Sequence, residues 1–353
     1  MPKRVGSLME IARLCSVSKS TVSRVLNDTK QGRFSVSPQV RAKIIKTAQK
    51  LNYRPNIAAR NLTIGKTRLV AILGFNGFWS DHVGPIDEAA AALSLVLDGA
   101  GYEIYIQFMT PRHNTFDPPP LRVDGIVAVS PQKVEDLEAL ERSEIPYVSL
   151  DGVVGKRGMR VLPDDTQGTY LALQHLWDLG HRRISYLDNP SVDGLHMSVF
   201  VRRKAFAQAT KEMGFEVPIL SGLPKLKPGD SWDMYYEPFL RSAVIEGKAT
   251  AVLSYSHHGA LALLRLAHDM GLSVPNDFSL LCFNNSAILS TSIPSLTAID
   301  VPSIPLGQTA AEMLLKQLNS SDSMTSKTIK LEESLVLRES TAPPKIQAAK
   351  NPH

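Results

Sequence analysis

Lys19, Ser20 and Arg24 carry the sharpest chemistry in this 353-residue chain. They fall on one face of a short helix in the run SLMEIARLCSVSKSTVSRVLN (7–27), whose opposite face holds Val22, Val25 and Leu26 at i, i+3, i+4 spacing. An arginine so placed can donate to guanine O6 and N7 with both arms, and lysine or serine can meet bases or phosphates. Other chemistries lack their spacing. The chain has no P-loop, no G-x-S-x-G, no H-E-x-x-H and no G-x-G-x-x-G after a strand. His257 and His258 are adjacent, so on a helix they diverge and ligate a metal poorly. Two cysteines, Cys15 and Cys282, exclude a disulfide framework or a four-cysteine zinc site. The chain therefore reads as non-enzymatic, with no cofactor and no metal.

The elements that position these residues are legible nearby. Ser7 caps a first helix, with Glu10 completing a capping box. Ile11 and Leu14 form its apolar face, and Ala12 lets a second helix approach. Cys15-Ser16-Val17 is the turn, and Ser18 caps the second helix. Ser37 and Pro38 open a third, with Val40, Ile44, Ile45, Ala48 and Leu51 in one stripe and Pro55 as its stop. This is a helix-turn-helix layout. Charge agrees with it. Residues 1–65 hold thirteen Lys/Arg against Glu10 and Asp28, a balance of +11, so the formal net charge of +5 leaves −6 on the rest. A basic head on a mildly acidic body points to a nucleic-acid-binding module joined to something else.

From Arg68 short β-rich runs alternate with amphipathic stretches. The strands expected are 68–75, 102–108, 124–130, 145–152, 183–189, 250–256 and 278–284. Apolar strands separated by helices imply parallel sheets covered on both faces. No apolar run reaches the roughly 18 residues of a membrane span, and the N-terminus has no signal-peptide pattern. A cytoplasmic protein, held at the nucleoid by DNA, is expected.

Three stretches carry a resemblance: IARLCSVSKSTVSRVLN, VSPQVRAKIIKTAQKLNYRPN and AARNL. Together they resemble the DNA-binding head of the LacI/GalR family of bacterial transcriptional regulators. The likeness continues through FNGFWSDHVGPIDEAA (75–90), DDTQGTYLALQHLWDLGHRRISYL (164–187), GLSVPNDFSLLCFNN, IPSLTAIDVP and LVLRESTAPP. It implies an all-α helix-turn-helix head on an α/β periplasmic-binding-protein-like body of two parallel-sheet subdomains. By resemblance Lys19, Ser20 and Arg24 read bases, and Ser18, Thr21, Asn27 and Tyr53 hold phosphates. The segment of Asn56, Ala59 and Leu62 is the hinge helix: Ala59 lets two hinges pack and Leu62 wedges into the minor groove. The domains implied are 1–55 (head), 56–67 (hinge and linker) and 68–344 (effector and dimerisation). The N-subdomain takes about 68–162 and 294–326, the C-subdomain about 163–293 and 329–340, with a disordered tail at 345–353.

Departures from the family are informative. Ser16 stands where the turn usually has Gly, and the loop 28–35 is longer than usual. Between Phe108 and Asp124, where the family has a helix, stands MTPRHNTFDPPPLRV, whose three prolines cannot lie in a helix interior. Open α/β sheets bind ligands at strand carboxyl ends. There Ser256-His257 and Asn284-Asn285 replace the family's Asn-Asp and Asp-Asp, while Arg202 matches its effector-binding arginine. Phe78, Trp79, Asp81, Asp151, Asp165 and Trp232 complete the expected lining, with Trp232 available to stack on a ring. The lost acids and the retained Arg202 point to an effector, a sugar or related metabolite, less polyhydroxylic than a free hexose and open to an anionic group. The expected function is a homodimeric regulator, most often a repressor in this family, on a palindromic operator and under effector control. The alternative is a regulator of the same fold that no longer answers to a ligand.

Overall fold

The computed structural model describes residues 7–26, 36–53, 66–75, 84–108, 115–189, 196–220, 223–224, 231, 233–320 and 326–345. The chain divides into a unit of residues 1–67 and a unit of residues 68–353.

In the first unit three helices, α1 (Leu8–Cys15), α2 (Lys19–Leu26) and α3 (Pro38–Lys50), surround a core of Ile11, Ala12, Cys15, Val22, Val25, Ile44 and Ala48. Their boundaries follow from capping. Ser7 Oγ accepts from Glu10 N–H at 3.2 Å, Ser18 Oγ from Thr21 N–H at 3.0 Å and Ser37 Oγ from Val40 N–H at 3.4 Å. Ser16 takes the left-handed conformation (φ 57, ψ 43) that a tight turn needs and that glycine adopts more cheaply. Two expected core positions are exposed. Leu14 and Ile45 face outward, because their immediate neighbours Cys15 and Ile44 take the inner face. Cys15 Sγ reaches Thr47 Oγ1 at 3.4 Å and ties α1 to α3. Nor does Pro55 end α3. The helix stops at Lys50, with Asn52 at φ 47 and Tyr53 N–H bonded back to Ala48 O at 2.9 Å.

The second unit holds two sheets. The first contains β1 (Leu69–Phe75), β2 (Glu103–Phe108), β3 (Gly125–Val129), β4 (Tyr147–Leu150), β5 (Met159–Pro163) and β10 (Lys327–Leu331), in the order β10-β5-β4-β3-β1-β2, all parallel. The second contains β6 (Ile184–Leu187), β7 (Ala251–Ser254), β8 (Ser279–Phe283), β9 (Thr297–Asp300) and β11 (Ser334–Val336), ordered β11-β9-β8-β7-β6 with only β11 antiparallel. Strands β3, β4, β7 and β8 are buried along their whole length, as expected of sheets covered on both faces.

Helices α4 (Pro85–Gly99) and α10 (Ser303–Asn319) pack on the first sheet. They touch closely at Gly307, where a Cβ would collide with the Ala89 carbonyl. Around the second sheet lie α6 (Asp165–Asp178), α7 (Met197–Met213), α8 (Asp233–Leu240), which carries Pro238 and runs into a wider turn over Arg241–Glu246, and α9 (His257–Asp269). A short α5 (Glu138–Ser143) follows β3. No helix joins β2 to β3 among the described residues. Phe116 and Val123 fill that layer instead, beside Ala71, Leu73 and Ile126. Gly74 (φ +87) accepts the Phe116 ring, which any side chain there would displace. Among the described residues no helix is long and apolar enough to cross a membrane.

The chain passes between the sheets three times, at Pro163–Asp165, Asp300–Ser303 and Leu331–Ser334. This moves two expected boundaries. Residues 297–300, assigned above to the N-subdomain, are β9 of the second sheet, with Thr297, Ala298 and Ile299 buried between β8 and β11. The single last strand expected near 329–340 is two strands, and β10 belongs to the first sheet, beside β5. The tail beyond Lys345 lies outside the described residues.

Candidate DNA interface and effector cleft

On the head, the outward face of α2 presents Lys19, Ser20 and Arg24, all exposed, because Val22 and Val25 are locked into the core on the other side. Three hydroxyls crowd its N-terminus: Ser18 Oγ lies 2.8 Å from both Ser20 Oγ and Thr21 Oγ1. Helix N-terminal N–H groups with hydroxyls beside them form a receptive site for a phosphate. Arg41, Lys43, Lys46 and Lys50 are exposed along α3, and Tyr53 is half-buried against the head core. Asn27, Asn56, Ala59 and Leu62 lie outside the described residues.

In the body, the carboxyl ends of β6, β7 and β8 open onto a cavity of about 170 Å³. Its walls are Leu187, Asp188 and Asn189 after β6, Ser254, Tyr255 and Ser256 at β7, Asn284 after β8, Tyr236 from α8, and His258 and Gly259 from α9. Strand ends on this side are conformationally unusual. Asp151 (φ 53), Asn284 (φ 68) and Ser130 (φ 51) all adopt positive φ without being glycine.

Ser256 and Asn284 therefore line the cavity as expected. Ser256 also caps α9, its Oγ accepting from Gly259 N–H at 3.5 Å. His257 does not line it. The first residue of α9 turns inward and is 4 % exposed, and His258, missed from sequence, faces the cavity. Asp188, Asn189, Tyr236 and Tyr255 were missed as well. The run RISYLDN ends in the two polar residues concerned, so the strand-end rule would have found Asp188 and Asn189 had it been applied to that strand. Phe78, Trp79, Asp81 and Trp232 lie outside the described residues.

Asp151, Asp165 and Arg202 form a buried group beside this cavity. Arg202 is 3 % exposed, and its Nε donates to Asp165 Oδ1 at 2.6 Å. Its Nη1 donates to the Tyr255 carbonyl at 3.0 Å, and its guanidinium carbon stands 4.0 Å from the Phe283 ring centroid. Burial works against its charge, but the Asp165 carboxylate beside it offsets this and holds it firmly protonated. The expectation of an anionic effector rested on the lost strand-end acids and on the retained Arg202. Asp165 balances the Arg202 charge, which removes the second of these grounds.

Asp151 directly follows β4 of the first sheet and is tied to the second subdomain by His196, the N-cap of α7. His196 Nδ1 accepts from Ser198 N–H at 3.2 Å, which leaves the proton on Nε2. That Nε2–H donates to the Asp151 carbonyl at 3.0 Å and lies 3.5 Å from its Oδ2. Burial raises the Asp151 carboxyl above its ordinary value, His196 lowers it and Asp165 raises it again. Glu333, another residue missed from sequence, completes the group, with its Oε1 3.7 Å from Arg202 Nη2.

Comparison with known proteins fits both halves. Residues 7–56 match bacterial regulatory proteins of the lacI family, and residues 173–341 match a periplasmic binding protein-like domain. The chain thus joins a lacI-family DNA-binding domain to a periplasmic-binding-protein-like domain. The chain is 27% identical to catabolite control protein A of Priestia megaterium, over 95% of its own length and 99% of the relative's. It is 28% identical to the HTH-type transcriptional repressor PurR of Vibrio parahaemolyticus, over 89% and 92% of the two. Its fold is that of the lac repressor dimer bound to operator and the anti-inducer ONPF, with TM-score 0.74, 22% identity and coverage of 96% and 100%. It also matches a transcriptional regulator CelR–cellobiose complex, with TM-score 0.65, 22% identity and coverage of 95% and 100%. With these two domains the chain is a DNA-binding transcriptional regulator with an effector-binding type of body.

Proposed function

We propose that this regulator represses transcription as a homodimer on a two-fold-symmetric operator, and that a small neutral metabolite in the body sets its occupancy. The observation that carries the DNA reading is the exposed Lys19–Ser20–Arg24 face on a helix held by the left-handed Ser16 turn. Arg24 reads a guanine, Lys19 and Ser20 contact neighbouring bases, and Ser18, Thr21, Asn27 and Tyr53 hold phosphates. Asn56, Ala59 and Leu62 form the hinge, with Leu62 wedged between base steps of the minor groove. Two heads impose their symmetry on the half-sites. PurR relatives named as repressors, and a lac repressor bound to operator as a dimer, support this assignment.

The effector is placed in the cavity at the ends of β6, β7 and β8. Its described walls offer amide, hydroxyl and imidazole groups beside two tyrosines, and the Asp188 charge is met by Arg203. This suits a neutral, polar molecule with one apolar or ring face. A second reading is favoured by one observation. The cavity of about 170 Å³ is below the usual ~300 Å³ of a drug-sized ligand pocket, which suits a regulator without a ligand.

Selection of duplexes from a random pool by the full-length protein tests the first part. A palindromic consensus is expected, and enrichment no better than for random DNA would refute it. Repeating the binding with a panel of sugars, nucleosides and amino acids separates the two readings. A change in occupancy with one neutral compound supports effector control, and none with any supports the ligand-free alternative.

A further inference from the structure

Three buried carboxyl groups, one guanidinium and one imidazole converge where the two subdomains are joined. Glu333 lies on the third crossover, Asp165 opens α6 directly after the first, and Asp151 directly follows β4. Arg202 comes from α7 and His196 from its cap. Arg202 spends its short bond on Asp165, and the 3.7 Å to Glu333 is too long for a hydrogen bond. Both Glu333 side-chain oxygens are buried with no hydrogen-bond partner among the described residues, as is Asp151 Oδ1. Asp164, the N-cap of α6, adds a further acid, partly balanced by Lys330 Nζ at 3.4 Å from its Oδ1. Tyr186 and Tyr255 complete the surroundings as phenols that burial keeps neutral.

One arginine cannot balance so many carboxylates, and buried like charges at this spacing do not all ionise. Glu333 is the member placed to hold the proton. Its backbone is clamped between crossovers: its N–H donates to Gln167 Oε1 at 3.0 Å and its carbonyl accepts from Gln167 Nε2 at 3.2 Å. Asp164 N–H also donates to the Leu331 carbonyl at 2.8 Å. The carboxyl rests on bare backbone at Gly168, where a Cβ would overlap its Oε2. Its side chain is fully shut off from solvent.

We propose that this junction is a proton-controlled latch: Glu333 is protonated while the crossovers are packed as described and releases its proton as they part, so rising pH loosens one subdomain from the other. Burial pushes the Glu333 carboxyl up, Arg202 pulls it back, and Asp165, Asp151 and Asp164 push it further, to about 8. Exposed to water it would return to the ordinary value near ~4.3. The packed form, with the raised value, is thus fully favoured below that ordinary value. Its advantage falls as pH rises through the interval and is gone above about 8. Within the interval the ratio of packed to parted forms drops about tenfold per pH unit.

The test uses the free full-length protein, so it stands or falls apart from the DNA reading. Infrared spectra from pH 6 to 9.5 follow the carboxylic-acid carbonyl band. Hydrogen exchange, corrected for its intrinsic pH dependence, follows residues 160–167, 298–304 and 330–335. Wild type should lose one carboxylic-acid band around pH 8, while protection at the crossovers falls about tenfold per unit up to that point. Glu333→Gln should lack the band and hold its protection constant. The proposal is overturned if wild type shows no protonated carboxyl at pH 7, if its protection is flat, or if Glu333→Gln follows the wild-type course. Asp164→Asn keeps an N-cap oxygen but removes a facing charge, so it should move the midpoint down. An unchanged midpoint would overturn the proposal even if Glu333→Gln does not fold.

Discussion

Arg202→Met separates a structural arginine from one kept for a ligand. Methionine preserves much of the apolar bulk over the Phe283 ring but deletes the 2.6 Å bond to Asp165 and the 3.0 Å bond to the Tyr255 carbonyl. Asp165 is 3 % exposed, so its charge is left uncompensated in the interior. Breaking a buried pair from one side costs about 3–5 kcal/mol. For a body of this size each kcal/mol lowers Tm by about 2–4 °C, so a fall of about 6–20 °C is expected. The partner variant closes the argument. Arg202→Met with Asp165→Asn removes both charges and should recover most of the loss, giving a coupling energy of about 2 kcal/mol or more. Urea unfolding by circular dichroism and calorimetry of all four proteins measures it. If Arg202→Met lies within about 1 kcal/mol of wild type, or the cycle is additive, the pair is not structural. Arg202 would then return as a candidate ligand contact.

Four further outcomes follow from particular residues. Arg24→Ala should cost about 1–3 kcal/mol at one base pair of the selected operator and relax preference there. An unchanged consensus on reselection would remove Arg24 from the reading set. Leu62→Ala should weaken binding to that operator more than to random duplex, and anisotropy titrations showing equal losses would contradict the minor-groove wedge. His181 is fully buried between Thr250, Ser279 and the Ala342 carbonyl, and burial depresses its pKa to about 4. Its contribution, about 2–3 kcal/mol, is present above the ordinary histidine value and is lost as pH falls towards the depressed one. Acid titration of stability should therefore be shallower in His181→Gln, and parallel curves would count against it. Gly307→Ala should destabilise the body by about 1–3 kcal/mol, because a methyl meets the Ala89 carbonyl and the helices must separate. A neutral result in thermal melts would show that α4 and α10 have room to yield.

Local signals carried the head. Ser7, Ser18 and Ser37 each cap the helix they were expected to cap, since an N-cap depends only on a side chain and the backbone three residues on. The seven expected strands are all present within a few residues, because buried parallel strands are apolar throughout. Short strands at the crossovers were harder to read. Met159–Pro163 and Thr297–Asp300 were not expected as strands, and the one strand expected near 329–340 divides into Lys327–Leu331 and Ser334–Val336, each placed by its pairing partner. Leu14 and Ile45 misled for a related reason. Periodicity places a residue near a stripe, but the neighbouring helix decides which edge of the stripe is covered.

Residue order along the chain is enough to say what the head is: a charge balance of +11 in residues 1–65, three capped helices and an outward Lys19–Ser20–Arg24 face. Residue types and spacings a few positions long suffice for that. The state of Arg202 emerges from the folded chain alone, because its neighbours Asp165 and Glu333 lie 37 residues before and 131 residues after it. A cationic residue near a cleft reads from sequence as a hook for an anion. Whether its charge is spare depends on the carboxylates that the crossovers bring within reach, because the field inside a protein is set by distance and burial, not by order along the chain.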